Sequence, residues 1–223
     1  MLAHDFARRL SQVLECPYYP PLFIGTERAR NPDMLEALGF YRDQFIEGMD
    51  FPGLPVKSAY VREEVFAGMI RDILNILLNR MEFKNVLIIN GHGADNQEAV
   101  LNRLCKEFNT GCPGKKVIWV YPAFPRSLIA GAIGHATSQE ISMLGAAWPG
   151  CVDLGRLPSS GKLKNVEFAI VDGETFDLSP TPDHTLREDQ DPRTKTDFIW
   201  GESQIETAVQ EVVAQVKSKL FTE

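Results

Sequence analysis

Two segments of the sequence place a histidine beside glycine and polar residues in patterns that suit catalysis. The first is Asn90-Gly91-His92-Gly93-Ala94-Asp95-Asn96, which directly follows an apolar run. Glycines allow a tight turn and a close approach of the backbone to a bound group. His92 is therefore a candidate metal ligand or proton-transfer group, with Asn90 or Asp95 to orient it. Without a functional role, the same residues form a strand-to-helix turn with a solvated histidine.

The second segment is Gly134-His135-Ala136-Thr137-Ser138-Gln139-Glu140-Ile141-Ser142. His135 precedes the start of a predicted helix, and Glu140 lies one to two turns into it. A histidine and a carboxylate in this arrangement could serve as a base and a metal ligand. Taken alone, the pattern is weak, because Ser and Thr at a helix start are commonly caps and nothing more.

Alternating helices and strands must position these histidines. Two short, unbroken apolar runs predict parallel strands that are buried on both faces, at 85–90 and 117–120. Apolar residues at helical spacing predict helices at 5–15, 62–80, 138–147 and 202–220, with one more between the two strands and another starting at Asn31-Pro32-Asp33. Residues 166–171 could form a strand, and 172–192 resemble a surface loop. The alternation is typical of an α/β fold, in which ligands bind at the carboxyl ends of the strands.

The composition excludes several classes of protein. The 223 residues are 44% hydrophobic and 24% charged, with a net charge of -7, so we expect neither a nucleic-acid nor an anionic-membrane partner. The sequence has no apolar window of membrane-spanning length and no secretory signal at its start. None of the four cysteines lies in a CxxC pair. We therefore expect a cytoplasmic protein with reduced thiols, and a single domain over residues 1–223.

The two histidine segments, in this order, resemble the creatininase (creatinine amidohydrolase) family. The family motif Asn-Gly-His-Gly-Gly-Asn is similar to residues 90–95, and His-Ala-Gly-Glu-x-Glu-Thr-Ser is similar to residues 135–142. Further similarities lie at Pro20-Pro21-Leu22-Phe23-Ile24-Gly25, at Phe51-Pro52-Gly53 and at Asp191-Pro192-Arg193. The resemblance runs from about residue 5 to the C-terminus. It implies a creatininase-like three-layer α/β/α sandwich with a mostly parallel sheet.

The resemblance also implies a site for divalent metal. Family members open with a Glu-x-His-Gly…Thr-Asp block that supplies three ligands to a two-metal centre, and the Glu-x-His part has no counterpart here. By this comparison the metal-ligand positions are Asp5, His92 and Glu140, and the catalytic positions are His135 and Glu140. Three ligands are enough for one zinc, manganese or iron ion and too few for two. We therefore expect one ion or none.

Three functions follow from these residues. The first is a metal-dependent amidohydrolase acting on a cyclic amide or a related small metabolite, in a pocket whose candidate walls are Phe23, Tyr121 and Trp148. For each of these aromatic residues taken singly, core packing is the better explanation. The second is a metal-independent acid–base enzyme, such as a lyase, isomerase or cyclase, that uses the two histidines and Glu140. The third is a non-catalytic subunit. The resemblance further implies a homo-oligomer.

Overall fold

A computed structural model describes residues 1–27, 32–37, 40–44, 46, 59–121, 137–161, 164–166, 169–171 and 191–220. Its helices are α1 (Leu2–Val13), α2 (Pro32–Ala37), α3 (Glu63–Asn75), α4 (Asp95–Gly111), α5 (Ser138–Ala147), α6 (Pro192–Lys195) and α7 (Phe198–Leu220). Its strands are β1 (Asn85–Ile89), β2 (Lys116–Val120), β3 (Lys164–Val166) and β4 (Ala169–Val171). Within this described part, no helix combines the length and the apolar composition needed to cross a membrane.

Strands β1 and β2 form a parallel pair that is covered on both faces. The register runs from Asn85 opposite Lys116 to Ile89 opposite Val120. Leu87 and Ile89 pack into a core with α1, α5 and α7, whereas the alternate side chains of β1 pack into a second core with α3 and α4. The predicted three-layer α/β/α fold is therefore confirmed. That all 223 residues form one domain stays a prediction.

Several element boundaries differ from the predicted ones for identifiable reasons. The predicted helix over 62–80 ends as α3 at Asn75 and continues as a π-helical turn over Ile76–Arg80. Helix α7 begins four residues before the predicted start, because the Asp197 carboxylate accepts hydrogen bonds from the N–H groups of Ile199 and Trp200 and so caps the helix. The apolar run at 166–171 is divided between two strands, β3 and β4, that pair antiparallel. The predicted loop lies outside the described residues over 172–190.

Helices α5 and α7 pack so closely that their backbones are in contact. A Cβ atom at Gly201 would lie 2.2 Å from the carbonyl oxygen of Ser142. The Ser142 hydroxyl also accepts a hydrogen bond of 2.8 Å from the N–H of Asp197. A side chain at position 201 would therefore force the two helices apart, and with them the core that supports one face of the sheet.

We expect Gly201→Ala to destabilise the protein by roughly 2 kcal/mol or more, because the added methyl group meets backbone that cannot rotate away. Gly68→Ala in α3 is the matched control, since a Cβ atom there has nothing within 4 Å. That change should stabilise the protein by about 0.5–1 kcal/mol through the better helix propensity of alanine. Urea unfolding of the two variants measures both effects. Equal effects on the free energy of unfolding would contradict the close contact between α5 and α7.

Candidate functional site

The turn after β1 is fixed by the side chain of Asn90. This buried amide donates from Nδ2 to the carbonyl oxygen of His92 at 2.8 Å and accepts at Oδ1 from the N–H of His92 at 3.2 Å. Gly91 is a glycine because a Cβ atom there would lie 2.9 Å from the Cβ of Ala3 in α1. The polar residues that made this segment a candidate site thus hold the backbone of His92 at the carboxyl end of β1.

The imidazole of His92 is paired with a carboxylate that the sequence analysis missed. Its Nε2 lies 3.1 Å from Oε2 of Glu27, and these side chains are 28% and 14% exposed. The ring of Tyr60 lies beside the imidazole, with the two ring centroids 5.0 Å apart. In a hydrogen bond between a neutral imidazole and an ionised carboxylate, the ring nitrogen in the contact carries the proton, because a carboxylate can only accept. In that tautomer Nε2 bears the proton and Nδ1 does not.

Glu27 follows a stretch that is held by buried hydrogen bonds. The carbonyl oxygen of Gly25 accepts from the N–H of Val61 at 2.9 Å. The N–H of Thr26 donates to Oε1 of Gln97 at 2.9 Å, and Nε2 of Gln97 donates to Oδ1 of Asn90 at 2.7 Å. The side chain of Gln97 in α4 therefore contacts both the stretch that carries Glu27 and the amide that fixes the turn of His92.

Tyr121, one of the predicted pocket residues, lies at the same edge of the sheet. It directly follows β2, and a Cβ atom at Gly93 would lie 3.3 Å from its hydroxyl oxygen. Burial raises the pKa of Tyr121, and the negative charges of Glu140 and Glu98 raise it further. The phenol is therefore neutral at ordinary pH and available as a hydrogen-bond donor. Glu140, in the first turn of α5, is therefore close enough to Tyr121 for its negative charge to affect the phenol.

Asp5, a predicted metal ligand, is paired with two arginines of its own helix. Its side chain is 2% exposed, and its two oxygens accept from Arg8 Nη2 at 2.8 Å and from Arg9 Nε at 2.6 Å. Arg9 also bonds to Glu202 and Glu206 of α7, and these carboxylates together with Asp5 raise the pKa of its guanidinium. Arg9 thus ties α1 to α7, and Asp5 helps to hold Arg9 in place.

The described residues do not assemble a complete metal centre. A catalytic zinc ion takes about three protein ligands. Within the described ranges, no three His, Cys, Asp or Glu side chains come together in a way that could hold a metal ion, so Asp5, His92 and Glu140 do not form such a group. His92 has Glu27 beside it, and both oxygens of Asp5 are engaged by arginines. His135 lies outside the described residues.

The two other predicted pocket residues occupy different surroundings. Phe23 is 67% exposed and lies four residues before Glu27. Trp148 ends α5, and its ring stacks on that of His4 with a centroid separation of 5.6 Å. Its buried indole Nε1 has no hydrogen-bond partner among the described residues. Of the three predicted wall residues, Tyr121 is the one whose described contacts reach the turn of His92.

Comparison with known proteins agrees with this architecture. The model of the creatininase (creatinine amidohydrolase) family matches residues 44–216, so the chain belongs to the creatininase family. A crystal structure of creatinine amidohydrolase (creatininase) is 18% identical, with a TM-score of 0.62, and the match covers 100% of this chain and 82% of that chain.

A second crystal structure has the same fold. It is of a proposed creatinine amidohydrolase from Bacteroides fragilis NCTC 9343, which is 21% identical with a TM-score of 0.56, and the match covers 96% of this chain and 77% of that chain. At these levels of identity the two structures establish the fold. A search of curated proteins found no match.

We expect Asp5→Asn to destabilise the protein by about 3 kcal/mol, because it breaks a buried ion pair. This value is at the lower end of the usual cost, since Arg9 keeps its bonds to α7. Asp33→Asn is the matched control. Asp33 is also paired with an arginine, Arg42, but its side chain is 85% exposed, so its loss should cost about 0.5 kcal/mol or less. Urea unfolding measures both changes.

The same Asp5→Asn protein also tests the predicted ligand role of Asp5. If Asp5 serves only to hold Arg9 in place, the variant should hold the same amount of metal as the wild-type protein in elemental analysis. Metal that is present in the wild type and lost in folded Asp5→Asn protein would show that Asp5 is a ligand.

Proposed function

We propose that this chain is a small-molecule hydrolase that cleaves a C–N bond in a cyclic amide or related metabolite, with Glu27 and His92 as its acid–base pair. The proposal rests on one observation, the 3.1 Å contact between the partly buried carboxylate of Glu27 and the imidazole of His92 at the carboxyl end of β1. Membership of a family whose members hydrolyse such bonds supports the choice of reaction.

In the proposed reaction, Glu27 orients the imidazole and Nδ1 of His92 acts as the base. His92 removes a proton from water while the water oxygen forms a bond to the carbonyl carbon of the amide. The tetrahedral intermediate then collapses, the C–N bond breaks, and the proton on His92 passes to the departing nitrogen. A positioned base of this kind contributes about 10²–10⁴-fold in rate.

Tyr121 and Glu140 support the same reaction. A neutral phenol can donate a hydrogen bond to the oxygen that becomes negatively charged in the intermediate, and raising the pKa of Tyr121 keeps it neutral. Glu140 contributes to that shift. His135, which the family resemblance assigns as the catalytic histidine, remains a predicted catalytic residue. Phe23 and Trp148 remain predicted substrate contacts.

A metal-dependent form of the same hydrolysis is the alternative that the family suggests. The described residues offer two adjacent donors, His92 and Glu27, and a third donor is needed for a catalytic ion. A metal-independent lyase, isomerase or cyclase would use the same acid–base pair. Homo-oligomerisation and a cytoplasmic location remain predictions.

We expect His92→Ala to lower turnover of a hydrolysed lactam or cyclic ureide by at least about 10²-fold, because the base is lost. Glu27→Gln should lower kcat by about tenfold to hundredfold with little change in KM, because it disturbs the orientation of the base rather than substrate binding. Asp33→Asn is the control for Glu27→Gln, since the Asp33 side chain is 85% exposed and paired with Arg42, and it should leave kcat and KM unchanged. Steady-state kinetics on a panel of small cyclic amides checks all three variants.

Elemental analysis and a chelator separate the alternatives. Turnover that persists in the presence of chelator and fails in His92→Ala supports the acid–base pair. The metal-dependent form would be supported instead if the wild-type protein holds a stoichiometric metal ion, His92→Ala loses that ion, and chelator inactivates the enzyme. Wild-type turnover in His92→Ala protein would overturn both forms, because both depend on this side chain.

A further inference from the structure

The two members of the acid–base pair lie outside regular secondary structure, on separate stretches of chain. Glu27 follows the isolated bridge between Gly25 and Tyr60, and His92 lies in the turn after β1. The two residues are 65 positions apart in the sequence. The pairing of β1 with β2 does not include Glu27, and no helix contains both residues. The distance between Glu27 and His92 therefore depends on side chains that join the two stretches.

The side chain of Gln97 makes that connection. It accepts from the N–H of Thr26, next to Glu27, and it donates to Oδ1 of Asn90, which also accepts from the N–H of His92. Thr26, Asn90 and Gln97 are all buried. Buried hydrogen bonds of this kind are strong and directional because little water competes for them. One side chain thus joins both halves of the pair.

The connection needs a side chain that accepts at one atom and donates at the other. The amide of Gln97 does both, whereas an ionised carboxylate cannot donate and an apolar side chain can do neither. The fit is close, since a Cβ atom at Gly25 would lie 2.9 Å from Oε1 of Gln97. The two stretches therefore approach each other around this amide.

We propose that Gln97 is a positioning residue that sets the contact between Glu27 and His92. Its effect on the reaction rests on the proposed function, whereas its effect on the contact can be measured separately. The ring nitrogens of His92 report the contact directly in NMR spectra of protein labelled with ¹⁵N-histidine. The sequence has four histidines, and the His92→Ala spectrum assigns the signal.

The test compares Gln97→Met with Asn109→Leu. Asn109 lies on the same helix and also makes two amide hydrogen bonds, with the N–H of Val117 at 2.7 Å and its carbonyl oxygen at 2.9 Å. Asn109 contacts β2 near its first residues, away from the carboxyl edge where Tyr121 lies. Each variant loses an amide of α4 that makes two hydrogen bonds to neighbouring chain. Only Gln97→Met should change the contact between Glu27 and His92.

In Gln97→Met we expect the ring signal of His92 to move toward its position in Glu27→Gln. We also expect kcat to fall by about tenfold to hundredfold while KM stays within about twofold. Asn109→Leu should change neither the ring signal nor kcat. An unchanged ring signal in folded Gln97→Met protein would overturn the proposal. If Gln97→Met does not fold, Gln97→Glu, which keeps the length and the acceptor but not the donor, is judged by the same criterion.

The two proposals fail in different ways. A ring signal that depends on Gln97, in a protein whose turnover does not depend on His92, would overturn the proposed function and leave the role of Gln97 standing. Turnover that depends on His92, with a ring signal that does not depend on Gln97, would overturn the role of Gln97 alone.

Discussion

The parallel pairing of β1 with β2 is the constraint on which the candidate site depends. Because both strands run in one direction, both end at the same edge of the sheet. His92 follows the first strand and Tyr121 follows the second, so the pairing alone brings an imidazole and a phenol to one edge. Helix α4 begins at that edge and supplies Gln97 and Glu98 from its first turn. The apolar cores on both faces hold this arrangement in place.

The sequence predicts the parts of this structure that local patterns encode. Unbroken apolar runs bounded by polar residues predicted β1 and β2, and the Asn-Gly-His-Gly turn predicted a functional histidine at the end of a strand. Glu27 was missed for a physical reason. It follows an irregular stretch without periodicity, and its contact with His92 depends on tertiary structure and on the amide of Gln97. No spacing within the sequence encodes such a contact.

Asp5 is a residue for which a local rule and a family resemblance lead to different expectations. The comparison with the family placed Asp5 at a metal-ligand position. Arg8 and Arg9 follow it at spacings of three and four, which put all three side chains on one face of a helix. The structure forms both ion pairs and extends them to α7. The helical spacing in the sequence therefore accounts for these ion pairs, whereas the ligand role that the resemblance implies for Asp5 stays a prediction.

Different carboxylates give the two reactive groups at the sheet edge different proposed roles. Negative charge at Glu140 and Glu98 favours the neutral, proton-bearing form of Tyr121 and so preserves a donor. Glu27 instead contacts Nε2 of His92 directly, and in the proposed reaction it selects the nitrogen that bears the proton. Amide hydrolysis needs both a base for water and a donor for the developing oxyanion. An edge that holds His92 and Tyr121 beside these carboxylates can supply both, provided that the buried amides keep Glu27 and His92 in contact.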